Sequence, residues 1–391
     1  MLETIREYGW DQLDDTERDD VIERHAVFYE RFAADAEEGL RGREGARWLD
    51  LVEHELPNLR AAMGRALERG LGARALRIAT GLGRYWGARS GATEGRRWLE
   101  QALAAGPVED SARAAGCLWA GSLAFFQGDY VAADGSFAEA ARTAEAAGEI
   151  FLEAASSAYL VWVALERGNP ANVQAPREKS RALLTQITDP WEQSEVLLPL
   201  SCGPLQHDAT KEDVLALKRE TGDVIATSDS LNNLGWDAML RGDFASATTN
   251  LEEALAIARE LDDTFRMSLA TCNLGLSAVS QGRYEEGVER LRESLVLGIR
   301  RGDRRNGAEV VLGLAAAVAG LGDDELSVRL DVIQRAVAAG IGMVYDELLL
   351  EWLEPFLSLA RTRLGPERVT EIEAEAGTPT MELALELLDA S

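Results

Sequence analysis

Five turn signatures divide this chain at almost constant intervals: Gly128-Asp129-Tyr130, Gly168-Asn169, Gly242-Asp243-Phe244, Gly282-Arg283-Tyr284 and Gly322-Asp323. Each closes one run of apolar residues at three- and four-residue steps and opens the next. The glycines stand 40 residues apart (128 to 168, 242 to 282, 282 to 322), except for a step of 74 from 168 to 242. That gap holds two units of about 37 residues if a degenerate turn lies near His207-Asp208. A fixed period in the range of about 34 to 47 residues marks stacked helical hairpins, in which each unit buries its apolar face only against its neighbours. Ala, Leu, Arg and Glu dominate the composition, and aromatic residues make up 6%, so the runs are helical rather than extended. The spacing predicts an all-α solenoid of stacked helical hairpins, more elongated than a compact body of the same mass.

The predicted hairpins pair 72–88 with 93–105, 112–127 with 130–147, and 151–167 with 171–186. Then come 191–204 with 210–221, 226–241 with 244–261, 265–281 with 284–300, and 307–321 with 324–339. Residues 71–340 are thus a repeat array of about seven hairpins. Before it, residues 1–70 form a helical lead-in: a short helix over 2–13, a second helix capped at Asp14-Asp15-Thr16 and broken between Gly39 and Gly45, and a third that Pro57 kinks or restarts. After it, 341–391 is a helical cap with segments 344–364, 366–376 and 380–390.

Within the hairpins the pattern resembles the tetratricopeptide repeat, which implies a right-handed superhelical solenoid. Residues 228–261 place Leu231, Leu234, Gly235, Phe244, Ala247 and Ala254 at that family's large, small and aromatic positions. Residues 268–301 supply Leu274, Gly275 and Tyr284, with Gly287 where an alanine is expected. Residues 114–147 supply Ala120, Gly121, Tyr130, Ala133, Phe137 and Ala140. A small residue midway along the first helix lets its partner approach, and the aromatic residue fills the space beside it.

The two ends resemble a second group, the STAND-type NTPase regulators with LuxR-type DNA-binding domains. The resemblance lies in Met1-Leu2-Glu3-Thr4-Ile5-Arg6-Glu7-Tyr8, in the run from Arg47-Trp48-Leu49 to Arg60-Ala61-Ala62, and in Gly95 to Leu103. At the far end it lies between Arg363 and Leu385. It implies a region that reads a signal on its repeats and couples it to nucleotide-gated transcription control. Neither the NTPase core nor the helix-turn-helix is expected within these residues.

Lys and Arg total 40 against 67 Asp and Glu, a net charge of −27 with a pI near 4.6. A surface that acidic repels phosphate backbones, so no nucleic acid binding by this chain is expected. Cys117, Cys202 and Cys272 are odd in number and widely spaced, as reduced core residues of a cytoplasmic protein would be. The expected chain has no membrane span and no secretory signal.

Catalytic motifs fail one by one. No Gly-Lys pair exists for a P-loop, and His54-Glu55 is followed by Asn58 where a zinc-protease helix needs a second histidine. Gly70-Leu71-Gly72 and Gly81-Leu82-Gly83 follow helices and lack the third glycine of a dinucleotide fold. His25, His54 and His207 are scattered, and His25 reads as a partly buried helix residue. No catalytic residue, metal or cofactor is expected.

Candidate binding residues come from the tetratricopeptide register. Asn233 and Asn273 occupy the sixth position of neighbouring repeats, and Trp162 and Trp236 the ninth; both positions line the groove in that family. A carboxamide matches both the donor and the acceptor of a peptide unit, and an indole offers a broad apolar anchor. Trp119 and Met239 belong with them. Arg300, Arg301, Arg304 and Arg305 form the one concentrated basic cluster, read either as complement to a helix C-terminus or as a docking patch for an acidic face. The expected partner is a peptide, a protein or a small-molecule inducer, or an NTPase domain or protomer of the same regulator. The alternatives are a free-standing adaptor unrelated to transcription and an unrecognised enzyme.

Overall fold

The structure, a computed structural model, describes residues 12–89, 91–201, 210–345, 347–375 and 379–390. Most of the predicted first helix, Ser90, Cys202 and the suggested turn at His207-Asp208 lie outside the described residues. Twenty α-helices follow one another with no strand among the described residues. The lead-in consists of α1 (Asp15–Gly39) and α2 (Gly45–Glu68), and the first hairpin of α3 (Gly72–Gly81), α4 (Gly83–Ala88) and α5 (Ala92–Ala104). The regular hairpins pair α6 (Asp110–Phe126) with α7 (Tyr130–Ala147), and α8 (Ile150–Glu166) with α9 (Gln174–Leu184). Next are α10 (Pro190–Leu200) with α11 (Lys211–Thr221) and α12 (Val224–Leu240) with α13 (Phe244–Glu260). Then come α14 (Thr264–Ser280) with α15 (Tyr284–Arg301) and α16 (Arg304–Leu321) with α17 (Asp324–Ile341). Helices α18 (Glu347–Leu364), α19 (Pro366–Glu375) and α20 (Met381–Ala390) close the chain.

The turn glycines explain the boundaries. Gly128, Gly168, Gly242, Gly282 and Gly322 all hold φ between 59° and 92°, a left-handed conformation that ends a helix at little cost only for glycine. The following Asp129, Asp243 and Asp323 each accept a backbone N–H of the next helix. A second ladder, between hairpins, escaped the sequence reading: Gly148, Gly222, Gly302 and Gly342 at φ 66° to 74°. In the corresponding place before α14 stands Asp262, at φ 49°. Replacing it with glycine should relieve strain of about 1 kcal/mol, offset in part by unfolded-chain entropy. The expected result is an unchanged or slightly higher melting temperature; a clear drop would show that the Asp262 side chain, 3.2 Å from Arg89, carries more weight than its backbone.

Inside a hairpin the helices approach where the small residues stand. A Cβ on Gly235 would lie 2.5 Å from Leu251 Cγ and 3.3 Å from the Ala247 carbonyl. Close by, Ser228 Oγ donates to Ala254 O at 3.0 Å. The same 26-residue step recurs as Ser268 to Ser294 O and Ser180 to Ala154 O.

One expectation of the lead-in needs correction. Helix α2 runs through Pro57 without restarting; the proline forgoes one backbone bond, and Leu56 and Leu59, both buried, keep the flanking turns seated. The long gap is filled by three helices of 11 residues each, α9, α10 and α11, where neighbours have 17 or 18. Asn169-Pro170 turns what would be the first coil of α9 into a short 3₁₀ segment, Pro170–Asn172.

The larger correction concerns shape. Arg84 reaches Asp223, Phe126 packs on Phe265 with ring centroids 5.0 Å apart, and Arg305 binds Glu166. Each pair is 139 residues apart (84 to 223, 126 to 265, 166 to 305). Arg89 donates to the carbonyl of Asp262, and Gly128 lies against Ile341 and Arg305, pairs 173 and 177 residues apart for the first pair and for 128 to 305. One superhelical turn therefore takes about four hairpins, and successive turns touch. The first helix of each hairpin forms the inner wall: no residue of α12 or α14 is exposed, and in α16 only the terminal Arg304 and Leu321 are. The physical reason is small side chains. Gly307, Ala308, Gly313, Ala315, Ala316, Ala317 and Ala319 of α16 are all buried, which lets the opposite wall fill the groove of an open solenoid.

Candidate functional site: the inner wall

The inner wall combines apolar packing with a line of buried charges. On α12, Asn233 and Trp236 are half-buried while Met239 has no exposed surface and belongs to the core. On α14, Asn273 is buried and its amide donates to Asn232 Oδ1 at 3.0 Å. The two expected asparagines thus sit on adjacent helices, but Asn273 is engaged with the residue before Asn233. Trp162 packs on Phe125 and donates its indole N–H to Glu166 at 3.2 Å. Trp119 seats on the chain at Gly83, where a Cβ would come within 2.1 Å of its ring. The Gly81-Leu82-Gly83 segment is thus a close-packing joint, since a Cβ at Gly81 would also meet the Ala33 carbonyl at 2.4 Å. Met239 and Asn273 are buried here; Asn233, Trp236, Trp162 and Trp119 keep partial access.

The arginine cluster does not form one patch. Arg300 and Arg304 face solvent, whereas Arg301 is buried over the Phe265 ring, 4.7 Å from guanidinium carbon to centroid. Arg305 makes a two-point contact with Glu166 at 2.8 and 3.0 Å. Residues adjacent in sequence are split because the last turn of α15 and the first turn of α16 meet at the inner wall.

Sequence reading missed the charges opposite. Arg84 binds Glu195 at 2.9 Å and Asp223 at 3.0 Å. Lys218, with no exposed surface, also binds Glu195, and the Trp191 indole donates to Asp223 at 2.9 Å. Arg41 lies 4.0 Å above the Trp191 ring. Burial pushes the Glu195 carboxyl up, but Lys218 and Arg84 outweigh it and hold the group at about 2. One turn along, Arg266 binds Asp229 at 2.6 Å and the buried Asp263. Burial raises the Asp229 and Asp303 carboxyls and lowers the Arg301 guanidinium. Asp223, Asp263 and Asp303 recur at 40-residue intervals as caps of α12, α14 and α16. That spacing was the available signal.

The remaining chemistry is muted. Burial pushes the Cys117 thiol up to about 11 and Cys272 well above its usual range, so neither is an ionised nucleophile at neutral pH. Burial also lowers the pKa of His25, which packs on Tyr29 with centroids 4.7 Å apart. Among the described residues no group of three or more His, Cys, Asp or Glu could hold a metal ion, and no helix is long and apolar enough to cross a membrane.

Comparison with known proteins locates the repeat. The tetratricopeptide repeat family model matches residues 227–261, which is α12 with α13, the hairpin carrying Asn233 and Trp236. Proteins named "Putative HTH-type transcriptional regulator" from Mycobacterium bovis and from two strains of Mycobacterium tuberculosis are each 33% identical over 103 residues. The match covers 26% of this chain and 12% of each relative. The chain is thus a helical repeat array with a tetratricopeptide unit and similarity to a segment of much longer regulators.

Proposed function

We propose that this chain is a non-catalytic signal-sensing and protein-docking region of a bacterial transcription regulator, and that a small inducer, peptide or partner protein binds its inner wall. The observation that carries the reading is the position of the tetratricopeptide match, on the hairpin whose inner helix holds Asn233 and Trp236. Repeats of this kind present surfaces rather than chemistry, and the relatives carry the names of regulators. The resemblance of both chain ends to STAND-type regulators supports a place beside an NTPase core and a LuxR-type helix-turn-helix. Exposed Arg300 and Arg304 are the part of the arginine cluster available to such a neighbour.

The test is a thermal-shift screen of metabolites and short peptides, followed by titration of a stabilising hit against the parent, Asn233→Ala, Asn273→Ala and Trp236→Ala. Asn233→Ala is expected to weaken binding by about 1–3 kcal/mol through loss of a buried hydrogen bond, and Trp236→Ala by about 2 kcal/mol or more. The melting temperature of the Asn233 variant should stay near that of the parent. Unchanged affinity in all three folded variants would place the site elsewhere and defeat the proposal.

A further inference from the structure

The buried cations of the inner wall have counter-ions: Arg84 and Lys218 bind Glu195, Arg266 binds Asp229 and Asp263, and Arg305 binds Glu166. Arg301 differs. It is 7% exposed, lies over the Phe265 ring, and forms no ion pair among the described residues; its Nε and Nη1 meet no acceptor. Three neighbours each leave one polar atom over. Asp303 caps α16 through Oδ1, which accepts the Asn306 N–H at 3.1 Å, while its Oδ2 accepts nothing. Asn306 donates its amide to Ser268 Oγ at 2.7 Å, while its Oδ1 accepts nothing. Arg266 turns its terminal nitrogens to Asp263 and Asp229, and its Nε–H has no acceptor. Asp303 and Asn306 are, like Arg301, more than nine-tenths buried. Single unpartnered atoms occur elsewhere, as at Arg89 Nε, but the other nitrogens of Arg89 are bonded to Asp50, Leu261 and Asp262. Around Arg301, unmet donors and unmet acceptors stand together beside an unpaired charge.

We propose that this cluster is a binding site for a free α-amino acid. The ligand's carboxylate would take the N–H donors of Arg301 and Arg266, and its ammonium would take Asp303 Oδ2 and Asn306 Oδ1. A simple anion would serve Arg301 but lie against the Asp303 carboxylate, and a simple cation would do the reverse. Water can bridge donors and acceptors but carries no charge, so it leaves the guanidinium without a counter-ion. A zwitterion brings both signs in one small molecule. Burial lowers the Arg301 guanidinium and raises the Asp303 carboxyl, as it does for charges held without counter-ions. The Phe265 ring, packed on Phe126 at 5.0 Å, offers an apolar wall to the ligand's side chain. Gly302 and Arg304, on either side of Asp303, are exposed, and a Cβ at Gly302 would meet nothing within 4 Å. The site therefore lies just beneath the surface of the α15–α16 turn.

This goes beyond the assignment to Asn233 and Trp236 and rests on other residues, so the two can fail separately. One arm of the test needs no ligand. Arg301→Met keeps an unbranched side chain over Phe265 and removes the unpaired charge, so the free variant should melt above the parent. A lower melting temperature would show that Arg301 already has a counter-ion, and would overturn the site. In the second arm the full chain is titrated calorimetrically with each genetically encoded amino acid, with acetate and with methylammonium. At least one amino acid should bind, about tenfold or more tighter than either half-molecule. Arg301→Met and Asp303→Asn should each weaken it by a similar factor; Asn serves as well as Asp at a helix N-terminus, so the second variant keeps its cap. Asn233→Ala is the control. Loss of binding there, with full affinity in the Arg301 and Asp303 variants, would put the ligand at Asn233 instead. A chain that binds none of the amino acids, or binds acetate equally well, would contradict the proposal.

Discussion

Glu195→Gln should cost the folded chain about 3–5 kcal/mol, because it leaves two buried cations with one remaining carboxylate. Arg84 and Lys218 share Glu195, and Lys218 has no exposed surface. Asp223 already serves Arg84, the Trp191 indole and the N-terminus of α12, so it cannot absorb the second cation without giving up a bond. Against a total stability of about 5–15 kcal/mol for a typical domain, that loss is large. The effect carries a pH signature. The folded-state pKa of Glu195, about 2, lies below the ordinary 4.5, so its contribution is fully present above about pH 5 and lost as pH falls toward 2. Thermal unfolding of parent and variant should differ most at neutral pH and converge in acid. A constant difference from pH 7 to pH 2 would mean that the charge is not what stabilises the cluster.

Gly235→Leu should be comparably damaging, for a steric reason. The added side chain must occupy space already filled by Leu251, which has no exposed surface, and it faces the fixed carbonyl of Ala247. Overpacking of this kind costs about 1–3 kcal/mol and more where backbone must move, and here α12 and α13 would be forced apart in a wall held from both sides. Because each hairpin stabilises its neighbours, the melting transition should fall and broaden. A variant that melts like the parent would show that Gly235 does not mark the close crossing of the two helices.

The hairpins were legible because glycine leaves a strong local signal: Gly128, Gly168, Gly242, Gly282 and Gly322 stand in the left-handed turns that their spacing implied. The crossing at Gly235 was legible for the same reason. The winding of the superhelix was not. Small side chains on α16 and α14 permit close approach, but which residues meet one turn later depends on the summed rotation of several hairpins, which no local pattern records. Hence Arg84 could not be matched to Asp223 from sequence, nor Arg305 to Glu166. Met239 reads from sequence as a groove residue and Arg301 as part of a basic cluster, and both are buried in the structure.

Solution scattering tests the wound, self-contacting superhelix most directly. An uncoiled array of fourteen helices at spacings of about 8–10 Å would extend beyond about 110 Å, with a radius of gyration above about 30 Å. A compact chain of 391 residues has a radius near 21 Å. The account expects a value within a few Å of the compact figure, with a curve that matches a ring of touching turns. A radius above about 30 Å for the monomer would contradict it, since Arg84, Phe126 and Glu166 could then not reach Asp223, Phe265 and Arg305.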